Sequence, residues 1–170
     1  SSSMSFYLGK LNGVSINKVG SKNLGASNTM VLLGWKAGII VALHDILKAV
    51  LVVLVARYFY GDLFAIGEVA GVSCILGHIF PFYLNFKGGK GFASYVGMTL
   101  ALNWKFALVL IVLIIVLVLI TDYIVAGTFS TMVLVPIYLG IVNHSILIFA
   151  IVSIASIVMI FKHKENIVRI

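Results

Sequence analysis

Residues 36–60 read KAGIIVALHDILKAVLVVLVARYFY. About 20 apolar residues in a helix cross the ~30 Å hydrocarbon core of a bilayer, and this run is long enough to do so. Yet its first half carries His44, Asp45 and Lys48. A charge near mid-bilayer costs about 2.5–3.5 kcal/mol on insertion scales. Asp45 and Lys48 stand three residues apart on one helix face, so they can pair and lower that cost. Two readings stay open: a functional ionisable group inside the membrane, or an internal pair that holds helices together.

The rest of the chain is equally apolar. Its 170 residues are 62% hydrophobic and 10% charged, with mean hydropathy +1.18. A soluble domain carries about 25% charged residues. The expectation is an all-α, polytopic membrane bundle in one domain, residues 1–170. After 36–60 come apolar segments at 65–84, 91–103, 105–120, 124–142 and 145–161, with Pro136 expected to kink the second last. The segment 91–103 is too short to cross straight, and such segments line cavities. The opening SSSMSFYLG is too short to span and lacks the basic start of a signal peptide. It is expected to be the remainder of a truncated first helix, giving about seven transmembrane helices, one of them short. The single cysteine, Cys74, reads as core packing, and no CxxC metal pattern is present.

Charge sets the sidedness. If loops alternate across the membrane, Lys10, Lys18, Lys22, Lys36, Lys87, Lys90, Lys162, Lys164 and Arg169 fall on one side. Arg57, Lys105, Asp62 and Glu68 fall on the other. The positive-inside rule then places residues 10–35, 85–91 and 162–170 in the cytoplasm. The net charge of +7 reports cytoplasmic loops and anionic lipids or substrates, not nucleic acid. Three polar clusters share that face: GSKNLGASN (20–28), FKGGKG (86–91) and KHKENIVR (162–169).

Each cluster has a chemical and a plain reading. In KGGKG, glycines bring backbone N–H groups close to a ligand, while Lys87 and Lys90 add charge, which suits phosphate. The loop also reads as a tight turn with positive-inside lysines. It is no P-loop, because Gly91 follows Lys90 where Ser or Thr is required. In GSKNLGASN, Ser21, Asn23, Ser27 and Asn28 offer hydroxyl and amide groups, and Gly20 and Gly25 allow unusual backbone angles. Ser27 or Asn28 also reads as the cap of a following helix, whose N-terminus itself attracts anions. In KHKENIVR, His163 and Asn166 lie one turn apart, although a basic tail gripping anionic lipid fits as well. His78 is expected to shape the helix end before Phe80-Pro81, and His144 to be solvated.

Taken together, the clusters resemble the motifs of the bacterial acyl-phosphate:glycerol-3-phosphate acyltransferases (PlsY type). GSKNLGASN matches a GSGNxGATN-like motif. Gly77, His78, Phe80, Pro81, Phe86 and KGGKG match GHxFPxxxxFKGGKG. HKENIVR matches a terminal H-[RK]-E-N-I-x-R, and Asp45 and Lys48 match an intervening D-x-x-K. The resemblance covers essentially the whole chain. It implies transfer of an acyl chain from acyl phosphate to the 1-hydroxyl of glycerol-3-phosphate, giving lysophosphatidic acid without acyl-CoA, metal, nucleotide or other cofactor. It implies a multi-pass protein of the bacterial inner membrane, with motif loops and C terminus cytoplasmic.

On that basis the catalytic candidates are His163, Asn166 and Ser21. The substrate-binding candidates are Gly20, Asn23, Ser27 and Asn28 with Lys87, Gly88, Gly89, Lys90 and Gly91. Asp45, Lys48 and Lys22 are supporting residues, and no metal site is expected. The chain departs from the family where arginines are usual: Val31, Asn17 and Asp122 stand there, and Val125 replaces a serine. A bidentate guanidinium is hard to replace at a phosphate. Two alternatives therefore accompany the enzyme reading: a catalytically weak homologue that binds anionic lipid or phosphate, and a small anion transporter built around His44, Asp45 and Lys48.

Overall fold

The computed structural model describes residues 2–167, of which 165–167 by backbone alone, and the statements below concern those residues. They form eight helices: α1 (Met4–Leu11), α2 (Ala26–Leu33), α3 (Trp35–Tyr60), α4 (Ile66–Ile79), α5 (Phe92–Leu102), α6 (Trp104–Thr121), α7 (Ile124–Val142) and α8 (Ile146–Ile167). Five segments are long and apolar enough to cross a membrane: α3, α4 with the turn that follows it, α6, α7 and α8. Large apolar side chains such as Leu51, Val109, Val112 and Ile154 point outward from them. That outer surface suits lipid and would be a liability in water.

Two details depart from the sequence reading. The segment 65–84 is not one helix. Pro81 lacks an N–H and restricts Phe80, so α4 ends at Ile79 and a 3-10 turn, Phe82–Leu84, completes the apolar run. Residues 26–28, read as the end of the loop 20–28, belong to the short helix α2, which starts at Ala26. It meets α3 at a corner where Gly34 takes φ 87°, a left-handed backbone that glycine adopts without a Cβ penalty. Pro136 lies inside α7, which continues through it.

Helix α5 occupies the centre. Its 11 residues rise about 16 Å, roughly half the hydrocarbon core. It packs on α3, α4 and α6, while α8 packs on α4 and α7. The core joins Ile75 and Ile79 of α4, Tyr95 and Met98 of α5, Met132 and Val135 of α7, and Val152 and Met159 of α8. Polar ties cross it: Tyr95 Oη and Ser156 Oγ are 2.6 Å apart, and Ser94 Oγ donates to the Asp45 carbonyl at 3.1 Å. Small residues allow these approaches within the one chain. Gly38 faces Met30, Gly71 faces Met98, and Gly97 lies against the backbone of Ile46. Cys74 is buried, as expected.

A Cβ at position 97 meets the Ile46 carbonyl, which cannot swing aside as a side chain can. Gly97→Ala is therefore predicted to cost about 1–3 kcal/mol. Val109→Ala, on the outer face of α6, is predicted to change stability by less than about 0.5 kcal/mol. Thermal unfolding of the purified proteins in detergent checks both.

Candidate active site

A cavity of about 470 Å³ opens where the three polar clusters meet. The first cluster contributes Gly20, Ser21, Asn23, Gly25, Ser27 and Asn28 to its wall. The second contributes Lys90 and Gly91, and the third His163. Asp45 and His78 line it from the bundle, and Val31, Ile124, Val125 and Thr128 supply an apolar to weakly polar flank. Asp45 lies ten residues into α3, about 15 Å along the helix from its start.

Asn28 organises the first loop. It is buried, its Oδ1 accepts from the Ser21 N–H at 3.0 Å, and its Nδ2 donates to the carbonyls of Ile16 and Val19. Gly20 takes φ 64°, and a Cβ there would strike Asn28 Oδ1. This corrects the capping expectation: Gly25 is the N-cap of α2, with no side-chain hydrogen bond. Gly91, at φ 89°, likewise caps α5 without a side chain. The first N–H groups of a helix have no intrahelical acceptor and favour anions. Gly25, Ala26 and Ser27 of one helix start and Gly91, Phe92 and Ala93 of the other all line the cavity. Two helix N-termini and Lys90 thus converge on one space.

The other loop residues divide by role. Gly88 and Gly89 leave no room for side chains: a Cβ on Gly88 would strike the His78 carbonyl, and one on Gly89 the His78 ring. Lys87 is exposed and does not line the cavity, and the same holds for Lys22.

Asp45 and Lys48 do pair, and they do so beside the cavity. Lys48 Nζ also stands 2.7 Å from His78 Nδ1 and donates to the Ser2 carbonyl at 3.0 Å. His44 Nδ1 lies 3.3 Å from Asp45 Oδ1, and Ser2 Oγ 3.0 Å from His44 Nε2. Sequence reasoning placed His78 at a helix end and missed its junction with Lys48, 30 residues away. The available signal was a third polar side chain in an apolar span.

His163 is buried, 5% exposed, with the Phe129 ring edge-on at 6.3 Å. Its Nδ1 lies 2.8 Å from the Met159 carbonyl. A carbonyl only accepts, so Nδ1 carries the hydrogen, and in the neutral ring Nε2 keeps a lone pair. The side chains of Asn166 and Arg169 lie outside the described residues. Of the four positions that the resemblance marks as departures, Val31 and Val125 line the cavity. Asp122 ends α6 with φ 60°, and Asn17 lines a separate cavity of about 280 Å³ with Lys10 and Ser15.

Comparison with known proteins places this geometry. The family model for glycerol-3-phosphate acyltransferase matches residues 1–170. Glycerol-3-phosphate acyltransferase 1 of Oceanobacillus iheyensis is 38% identical over 96% of this chain and 82% of its own length. The enzyme of that name from Prochlorococcus marinus is 36% identical over 97% of this chain and 85% of its own. A crystal structure of PlsY (YgiH), an integral membrane glycerol 3-phosphate acyltransferase, in its glycerol 3-phosphate form superposes with TM-score 0.89. It is 28% identical and covers 98% of this chain and 84% of that one. The lysophosphatidic acid form of the same protein gives TM-score 0.85 at 28% identity, over 97% of this chain and 82% of that one. The chain belongs to the glycerol-3-phosphate acyltransferase family.

Proposed function

We propose that this protein transfers an acyl group from an acyl phosphate to the 1-hydroxyl of glycerol-3-phosphate, and that the shared cavity is its active site. The observation that carries the reading is the convergence of Lys90, two helix N-termini and the His163 ring on one space. Both substrates bear phosphate. Backbone donors and a lysine that surround it in a largely apolar bundle act in a low dielectric, where charge–dipole attraction is strong. Ser21, Asn23 and Ser27 add polar groups along the same wall.

The chemistry asks little more than placement. The hydroxyl oxygen of glycerol-3-phosphate attacks the acyl carbonyl carbon, the carbon–oxygen bond to phosphate breaks, and inorganic phosphate leaves with the electron pair. His163 Nε2, an acceptor in the tautomer set by Met159, receives the hydroxyl hydrogen bond and orients the nucleophile. The hydroxyl proton ends on the departing phosphate. Holding two reactants in attack geometry supplies up to about 7–11 kcal/mol of barrier reduction. The apolar flank of Val31, Ile124 and Val125 gives the acyl chain a route toward lipid. The comparisons favour neither the weak binding homologue nor the anion transporter.

The expected site is a bacterial cell membrane, with residues 20–28 and 85–91 on the cytoplasmic side, where glycerol-3-phosphate is met. The lysine asymmetry between loops supports this orientation.

Purified protein given palmitoyl phosphate and glycerol-3-phosphate is expected to form lysophosphatidic acid and phosphate, with product dependent on both substrates. Product mass and phosphate release measure it, and a folded protein that forms none contradicts the reading. His163→Ala and Lys90→Ala are each expected to lower kcat/KM by about 10²-fold or more while the protein still inserts. Wild-type rates in both would move the chemistry elsewhere. For orientation, Lys87→Cys and His144→Cys in a Cys74→Ala background place thiols in two exposed loops. An impermeant maleimide is expected to label His144→Cys in intact cells and Lys87→Cys only after permeabilisation. The opposite pattern reverses the orientation.

A further inference from the structure

Several contacts meet at His78. The ring is buried, and Lys48 Nζ approaches its Nδ1 at 2.7 Å. An ammonium only donates, so Nδ1 accepts, and the hydrogen of the neutral ring sits on Nε2. The backbone carbonyl of His78 accepts from the Gly89 N–H at 3.2 Å, and that of Ile79 from the Gly88 N–H at 3.1 Å. The ring atoms Nε2 and Cε1 occupy the space that a Cβ on Gly89 would need. His78 therefore meets Gly89 twice: its carbonyl accepts the Gly89 N–H, and its ring fills the space beside the Gly89 Cα. Lys48 is itself fixed by Asp45 and by the Ser2 carbonyl.

We propose that His78 is a positioning residue for acyl transfer: braced by Lys48 and Asp45, it sets Gly88 and Gly89 so that Lys90 and the first turn of α5 face the substrate phosphate. This rests on the phosphate-binding reading given above. Nothing requires His78 to touch a reacting atom. Its contribution is the register of the loop that carries Lys90 to the cavity wall. The Asp45–Lys48 pair in the membrane interior thereby gains a purpose beyond mutual neutralisation: it holds one ring in one orientation.

The test combines kinetics with amide exchange on the full chain in detergent. His78→Ala is expected to raise KM for one of the two phosphate-bearing substrates by about tenfold or more, with kcat within about threefold. It is also expected to speed hydrogen exchange across residues 86–91. His78→Asn, which keeps an acceptor near the Nδ1 position for Lys48 but lacks the ring edge beside Gly89, is expected to raise that KM by about threefold, between wild type and His78→Ala. Asp45→Asn with Lys48→Met removes the brace without leaving a buried unpaired charge, and is expected to reproduce His78→Ala. Gly89→Ala is expected to cost less in the His78→Ala background than alone, because the ring it collides with is gone. Unchanged KM and exchange in His78→Ala, or a His78→Asn protein as impaired as His78→Ala, overturns the proposal. If His78→Ala does not fold, His78→Asn and the double brace variant decide. If the wild type forms no lysophosphatidic acid, the functional reading has failed, and exchange at 86–91 alone decides whether His78 positions the loop.

Discussion

His78 and Ile79, at the end of α4, are buried, so their carbonyls must find donors within the protein. The Leu76 carbonyl takes the Phe80 N–H, while those of His78 and Ile79 take the N–H groups of Gly89 and Gly88. This is the constraint on which the site depends. The glycine pair completes one helix, passes where no side chain fits, and leads through Lys90 and Gly91 into the start of α5. The same backbone that satisfies one helix end therefore aims the donors of the next at the cavity. A Cβ at 88 would strike the His78 carbonyl and push the loop off α4, and one at 89 would displace the His78 ring.

Electrostatics then select the ligand. Asp45 is buried beside the cavity, where an unpaired carboxylate would repel phosphate and be costly to desolvate. Lys48 neutralises it and is shared with His78. What the cavity presents is the charge of Lys90, the positive ends of α2 and α5, and the His163 ring. In the proposed reaction an anionic substrate enters such a space from the loop side. In the proposed reaction the apolar wall of Ile124 and Val125 takes the acyl chain from the lipid side. Val31 adds a further apolar side chain to that wall.

Much of this was legible in the sequence. Apolar length fixed α3, α6 and α7 to within one residue at each end, because lipid thickness sets a length that composition reveals; α8 begins within one residue of its expected start but continues six residues past the apolar run, to Ile167. The short segment 91–103 was recognisable as a cavity-lining element for the same reason, and α5 is that element. Charge asymmetry was enough to bring residues 20–28, 86–91 and 162–169 to one face, and one cavity takes residues from each. What escaped were features set by tertiary contact. Asn28 has the composition of a helix cap, but its neighbours Ile16 and Val19 give it a better use as a staple across the loop. Lys87 and Lys90 are equivalent in sequence; only the turn made by Gly88 and Gly89 sends one to solvent and the other to the cavity wall. His78 meets Lys48 because α3 and α4 pack together, and no local pattern encodes that register.

The most direct measurement is a structure of the protein with glycerol-3-phosphate bound. The account predicts the phosphate inside the cavity, with its oxygens at about 2.7–3.2 Å from Lys90 Nζ or from N–H groups at the starts of α2 and α5. It also predicts the 1-hydroxyl on the His163 side. A phosphate held instead by exposed Lys87, or lying outside the space bounded by residues 20–28, 90–93 and His163, would contradict it.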